Sequence, residues 1–423
     1  MKLLNGLNNQ FVKNVSFLAS GTFIAQCVGV LAAPILSRLY DQNDFGYLGG
    51  VVTLSLILSS TATLKFEMAI VPAKQDKEKN ALIMLSTVSL VGFVLFFCLV
   101  GLFDPGVLKA LSGIEFGVKG TLLIGTLSLI LGVNAILIQL TNREKKYKRL
   151  AKKSIFDKLS LTGSQLLLAF FIGTGISLVL GNIIGAVFGL LILLPPFWKE
   201  LISINHNIRV LKKTAKKFYR YPLYTAPQNL LNSVSQGLPV IMFGSYFGVI
   251  EVGAYFFAMR ILQLPSALIG NSVRQVFFKE AAEHDENHLL LKKKFKKVTF
   301  TLLLVALAPM GVLFFMGDSI FAFAFGPEWT KAGDYASWMF LWVGLMFANP
   351  PSSAMYYILN RQKQQLFIEI VSFTLRFFSL YYGGLAGSML LSVKLFSLTG
   401  ILVNLIYIGY IFYILEHGNF NRR

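Results

Sequence analysis

The chain is short of charge. Only 14% of its 423 residues are Asp, Glu, Lys or Arg, well under the roughly 25% of ordinary soluble domains. Acid is the scarcer sign, with 20 Asp and Glu against 39 Lys and Arg. So few charges cannot solvate a globular surface, and a hydrophobic content of 55% with mean hydropathy +0.64 puts most of the chain in lipid. Cysteine is nearly missing. Cys27 and Cys98 both lie inside apolar runs without metal spacing, which excludes a disulfide framework and a zinc site. Of the four histidines, His284 and His288 stand four apart but lack a third ligand. No phosphate-cradling Gly-rich loop ending in Lys and Ser or Thr is present, which argues against direct ATP drive. No cofactor is expected. Nor is nucleic acid a partner, because the net charge of +19 falls in short clusters between apolar runs, where it sets topology.

What is present is a succession of runs long enough to span a bilayer, at about 20 apolar residues each. The first half supplies residues 15–37, 45–71, 80–103, 120–140, 155–173 and 177–198; the second supplies 222–247, 252–278, 298–316, 335–359, 366–382 and 388–415. Basic loops alternate with poor ones: Lys74 to Lys79, Arg143 to Lys153, Lys199 to Arg220, Lys279 to Lys297, Arg361 with Lys363, and Arg422 with Arg423 share one side. Lys and Arg are retained in the cytoplasm, so both termini are read as cytoplasmic. The expected fold is an all-α polytopic membrane protein of about twelve spans, divided into residues 1–210 and 211–423. The external loops are too short for a domain, and every histidine falls on the basic side, which speaks against a membrane polymerase or ligase.

The two halves resemble each other weakly. Ala33-Pro34-Ile35-Leu36 leads to Asp44-Phe45-Gly46-Tyr47, and Leu238-Pro239-Val240-Ile241 leads to Glu251-Val252-Gly253-Ala254-Tyr255. Each acid stands where it complements a helix N-terminus, a structural reason independent of any ligand.

Ionisable residues inside spans cost at least about 2.5 to 3.5 kcal/mol each and call for a partner, a wet cavity or a task. Five cations, Lys65, Arg260, Arg274, Arg376 and Lys394, stand against two anions, Glu67 and Glu369. At about 100° per residue, Arg260, Gln263, Ala267, Asn271 and Arg274 share one face of the eighth span, and Arg260 lies about 13 Å beyond Glu251, near the midplane. Lys65 and Glu67 are two apart and are expected on different helix faces, which argues against an intrahelical pair. Arg376 has Glu369 one heptad before it on the same face. The seventh span carries Gln228, Asn229, Asn232, Ser233, Ser235 and Gln236, a set suited to sugar hydroxyls or to interhelical bonds. Ser20, Thr22 and Gln26 sit similarly in the first span. The tenth is interrupted at Asn349-Pro350-Pro351-Ser352, and its Trp338 and Trp342 share a face that can stack on sugar or simply pack.

Several of these stretches, Phe17-Leu18-Ala19-Ser20-Gly21-Thr22, Pro34 to Tyr40, Asp44-Phe45-Gly46, Leu64 to Ile70, Ala258-Met259-Arg260-Ile261-Leu262 and Gln275-Val276-Phe277-Phe278, together resemble the O-antigen-type oligosaccharide flippases of polysaccharide biosynthesis. That family lies in the multidrug/oligosaccharidyl-lipid/polysaccharide exporter superfamily. The resemblance implies two six-helix lobes around a central cavity and an undecaprenyl-pyrophosphate-linked oligosaccharide as substrate, with polysaccharide synthesis and polymerisation enzymes as neighbours in the bacterial inner membrane. The embedded charges suit that cargo independently: Arg260 and Lys65 are expected to bind pyrophosphate or acidic sugar, helped by Arg274 and Arg376, with Glu67 orienting Lys65 or taking up a proton and Asn229 and Gln236 of the seventh span available to sugar hydroxyls. Family members often carry arginine where this chain has Lys65, which keeps the charge without the bidentate fork. The rival reading, a drug or organic-ion antiporter of the same superfamily, leads one to expect an acid in the first span, and residues 15–37 contain none.

Overall fold

The computed structural model describes residues 9–104, 106–197, 208–264, 277, 288–359 and 361–417. Among these residues every regular element is helical. The chain runs through α1 (Asn9–Leu39), α2 (Gln42–Ala62), α3 (Asp76–Phe103), the short α4 (Gly106–Ser112), α5 (Gly117–Arg143), α6 (Tyr147–Phe171), α7 (Gly175–Leu193) and the amphipathic α8 (Ile208–Lys217). It continues with α9 (Ala226–Phe247), α10 (Val249–Leu262), α11 (His288–Phe325), α12 (Thr330–Phe347), α13 (Pro350–Ile358), α14 (Gln362–Leu385) and α15 (Met389–His417). Seven described helices, α2, α3, α5, α7, α11, α14 and α15, are long and apolar enough to cross a membrane. Each of the twelve expected spans finds helix over described residues, the eighth over its first part to Leu262, beyond which residues 265–276 fall outside the described ones, and the protein is an all-α, multi-pass membrane protein. Helix α6 is too charged in its first half to join the seven, with Lys148, Arg149, Lys152, Lys153, Asp157 and Lys158.

Among the described residues, the tenth and second expected spans are interrupted. The expected tenth span divides into α12 and α13 at Ala348 and Asn349, as Pro350-Pro351 requires, since a proline lacks the amide for the helical ladder. The second departs from expectation: its helix stops at Ala62 rather than continuing to Val71, and a 3-10 turn occupies Phe66–Ile70.

By packing, the chain separates into two compact units, Met1–Gly253 and Ala254–Arg423. In the first, α7 presents Gly181, Gly185 and Gly189 to α6, one small residue per turn, which lets the two backbones approach. A Cβ at Gly185 would stand 2.6 Å from Leu161 Cβ, and one at Gly189 2.9 Å from Asp157 Oδ1. Buried polar groups tie the remaining helices together. Tyr40 OH donates to the Gln165 carbonyl at 2.7 Å, Gln165 Nε2 donates to Leu178 O at 2.9 Å, and Asn134 Nδ2 donates to Ala186 O at 3.1 Å. In lipid no water competes for these donors, so each such bond helps to specify which helices pair. The second unit is knitted by aromatic residues: Phe257 of α10 packs on Trp329 at 4.1 Å and edge-on to Phe325 at 5.0 Å between ring centroids.

Candidate functional site

The break after α2 carries the first group of expected site residues. Leu64 and Lys65 adopt left-handed φ angles of 51° and 58°, a conformation that Cβ-bearing residues disfavour. The turn is held by its surroundings. Phe66, Ala69 and Ile70 are buried against Leu82, Ile83, Ile136, Leu137 and Leu140. Arg143 Nη1 donates to the Ile70 carbonyl at 2.7 Å and also to the Ala73 carbonyl. Arg143 therefore does more than set topology, a role its place in a basic cluster conceals.

Lys65 and Glu67 do pair, contrary to expectation, with Nζ 3.5 Å from Oε1. The rule that residues two apart face different ways belongs to the α-helix, and this stretch is not one. The side chains are 14% and 3% exposed, so the pair is largely desolvated. Glu67 Oε2 is buried and has no hydrogen-bond partner among the described residues.

The polar stripe of the seventh span lies on α9 and the π-turn Tyr221–Thr225 before it. Asn229, half-buried, donates from Nδ2 to the Thr225 carbonyl at 2.8 Å. Gln236, exposed, donates from Nε2 to Asn232 Oδ1 at 3.3 Å. Spacings of four, three and four residues align Thr225, Asn229, Asn232 and Gln236 along one face. These bonds stay within the helix's own segment.

In the second unit, Arg260 lies near the end of α10 and is partly exposed. Arg274 and Asn271 fall outside the described residues, as do the side chains of Ser20 and Thr22. Arg376 of α14 lies within electrostatic reach of Glu369, Tyr255 and Tyr407, and its guanidinium sits 5.8 Å from the Phe396 ring centre. Glu369 Oε1 accepts a 2.6 Å hydrogen bond from Tyr407 OH. The heptad spacing thus brings Arg376 and Glu369 into one polar cluster, completed by a tyrosine from α15 that no local spacing announces. Lys394 places Nζ 4.3 Å over the Trp338 ring. Trp342 is buried, edge-on to Phe396 at 5.1 Å, and occupies the space a side chain at Gly400 would need. It serves packing rather than a sugar platform.

A further polar group is one the sequence does not single out. Asp157 and Lys158 of α6 line a cavity of about 340 Å³ together with Gln26, Ser154 and Asn182. Lys153 Nζ bonds Asp157 Oδ2 at 2.8 Å. Nearness to the basic loop makes these residues look like the end of a span; the available signal is an acid placed four residues after Lys153 in an otherwise basic stretch.

Residues 35–334 match the family described as polysaccharide biosynthesis protein. No curated protein matches the chain. Among solved structures, the lipid II flippase MurJ in an inward closed conformation is similar with TM-score 0.76 and 14% identity, over 94% of this chain and 89% of that one. An inward-facing multidrug-resistance MATE transporter of the MOP superfamily is similar with TM-score 0.60 and 13% identity, over 95% and 96%. A MOP-superfamily transporter from Pyrococcus furiosus, whose reversed binding-pocket polarity suggests a different function, gives TM-score 0.59 and 13% identity over 96% of each chain. At these identities the likeness is one of fold.

Proposed function

Because the chain belongs to the polysaccharide biosynthesis protein family, we propose that it is a flippase that carries undecaprenyl-pyrophosphate-linked oligosaccharide repeat units, of the O-antigen or lipopolysaccharide type, from the cytoplasmic to the outer leaflet. It works in the bacterial inner membrane with both termini cytoplasmic, as two lobes, 1–210 and 211–423, that alternate access to a cavity. Synthesis and polymerisation enzymes act on either side of the step, and the protein itself makes or breaks no bond.

The observation that carries the reading is Arg260, a permanent cation on the membrane helix α10, about 13 Å beyond Glu251 along the helix axis. An arginine at such depth suits a ligand that brings its own negative charge, and a diphosphate offers the planar oxygens that a guanidinium grips in pairs. Lys65, Arg274 and Arg376 add charge of the same sign. Glu67 holds Lys65 in place, and Asn229 and Gln236 offer amides to sugar hydroxyls from α9. The fold shared with a lipid II flippase supports a lipid-linked cargo. The antiporter alternative draws on the fold shared with multidrug transporters; the family match and the surplus of cations favour the anionic lipid.

Complementation tests it. Expression in a strain lacking its own oligosaccharide flippase restores surface polysaccharide, and Arg260→Ala at matched membrane abundance does not. Failure of the wild type across hosts with compatible glycans, coupled with drug resistance on expression, moves the assignment to the antiporter.

A further inference from the structure

Helix α8 (Ile208–Lys217) carries five cations and no acid in its ten residues. At about 100° per residue Lys212, Lys213 and Lys216 share one face, and Arg220 follows Lys216 four residues on. All four are exposed. The opposite face, Leu211, Thr214, Ala215 and Phe218, turns inward. Thr214 is buried, and Ala215 and Phe218 pack with Tyr221 against a core that includes Phe66, Ile70, Leu82 and Phe197. The first unit thus holds α8 by its apolar side and presents the cations outward. Two observations set the height of that face. Lys217 Nζ bonds the carboxylate of Glu78 on α3, two residues before the expected span 80–103, and α8 leads through the π-turn Tyr221–Thr225 straight into α9. The cations therefore stand where helices enter the bilayer, at the level of the headgroups.

We infer that α8 is a docking surface for anionic phospholipid of the surrounding bilayer, with Lys212, Lys213, Lys216 and Arg220 facing the phosphates of several headgroups. The inference goes beyond the flippase reading and holds whatever cargo the protein carries.

Charge and polarity together select the occupant. Topology asks only for a number of cations in the loop; it does not ask that they gather on one face of a helix whose other face is fixed to the core. Among the described residues no acid forms an ion pair with Lys212, Lys213, Lys216 or Arg220, while Lys217, at the rim of the face, takes Glu78. Exposed lysines on a convex helix suit a layer of mobile phosphates rather than one enclosed ligand, unlike Lys65, which is largely buried beside Glu67. Tyr219, Leu223 and Tyr224 are exposed next to the cations, the last two by 56% and 63%. An acidic protein in water would answer the lysines and leave Leu223 and Tyr224 uncovered, whereas the membrane interface takes basic, aromatic and apolar side chains together.

Native mass spectrometry of the full-length protein, titrated in neutral detergent with dioleoyl phosphatidylglycerol or dioleoyl phosphatidylcholine, tests it. Phosphatidylglycerol is expected to bind about tenfold tighter or more, and the combined Lys212→Gln, Lys213→Gln and Lys216→Gln variant to lose about tenfold or more of that preference, while arginine at the same three positions keeps it. Lys293→Gln, Lys296→Gln and Lys297→Gln together, which remove the same charge from exposed positions on α11, are expected to keep it as well. In nanodiscs, hydrogen exchange over residues 208–220 is expected to be slower in phosphatidylglycerol than in phosphatidylcholine. Equal binding of the two lipids, an undiminished preference in the α8 variant, an equal loss in the α11 variant, or exchange over 208–220 that ignores the lipid overturns the inference. So does displacement of phosphatidylglycerol by an equimolar amount of inorganic pyrophosphate, which assigns the face to a free anion. If the glutamine variant of α8 fails to fold, the wild-type lipid ratio and the exchange over 208–220 decide in its place.

Discussion

Gly46 and Gly253 meet backbone to backbone: a Cβ built on Gly253 would stand 2.9 Å from the Gly46 amide nitrogen and would overlap the Gln42 carbonyl. The reverse also holds, since a Cβ on Gly46 would overlap the Val249 carbonyl and stand 2.8 Å from Val249 Cγ2. These are the glycines of Asp44-Phe45-Gly46-Tyr47 and Glu251-Val252-Gly253-Ala254-Tyr255, the two copies of the internal repeat. The weak repeat in sequence is thus a reciprocal contact in the fold, between the first turns of α2 and α10. Each of those turns starts with an acid, Asp44 in a capping box with Asp41 and Glu251 in the first turn of α10.

Neither glycine tolerates a side chain. Gly46→Val and Gly253→Val are each expected to destabilise by about 1–3 kcal/mol, the usual cost of overpacking, and to lower the thermal midpoint of the detergent-solubilised protein. The pair is expected to be non-additive because both substitutions disturb one contact. Midpoints equal to wild type in both single variants contradict the close approach.

The Lys65–Glu67 pair makes an asymmetric prediction. Lys65→Met leaves the Glu67 carboxylate buried without a partner and is expected to cost about 3–5 kcal/mol, whereas Lys65→Met with Glu67→Gln together costs much less. A double-mutant cycle on thermal stability reads the difference. Additive effects of the two single substitutions contradict the pairing.

Arg143→Gln is expected to loosen the turn after α2, because the carbonyls of Ile70 and Ala73 lose a charged donor; a bond of that kind is worth about 1.5–3 kcal/mol. Hydrogen exchange is the suitable measurement, and the expected change is faster exchange confined to residues 64–75. Arg143→Lys recovers part of the protection. Protection unchanged in Arg143→Gln assigns the residue to topology alone.

Tyr407→Phe removes the donor to Glu369 and leaves the ring in place. The expected loss is about 1.5–3 kcal/mol in stability, with Glu369→Gln recovering most of it in the double variant because the amide needs no charge-assisted donor. Full wild-type stability of Tyr407→Phe contradicts a structural role for the bond.

Much of the fold is legible in the residues alone. Hydropathy places helix in the described part of each expected span, because lipid admits only helices that satisfy their own backbone. The break at Asn349-Pro350 is written in proline chemistry. The break at Leu64-Lys65 is not, since nothing local in Leu64 or Lys65 favours left-handed backbone and the turn is held by Arg143, distant in sequence. The same holds for Tyr407 on Glu369 and for the meeting of Gln26, Asp157 and Asn182 around one cavity: each joins helices whose pairing is a tertiary fact. Arg260 and Arg376 are visible because charge in an apolar run stands out; Asp157 and Lys158 are hidden by the basic loop beside them.

Translocation itself is tested most directly in proteoliposomes. Purified protein is reconstituted with a fluorescent undecaprenyl-pyrophosphate-linked oligosaccharide, and transfer is read from the fraction that a membrane-impermeant quencher reaches over time. Transfer above protein-free vesicles is expected, abolished in Arg260→Ala and only partly recovered in Arg260→Lys. Transfer equal to protein-free vesicles, or full transfer in Arg260→Ala, contradicts a flippase built around that cation.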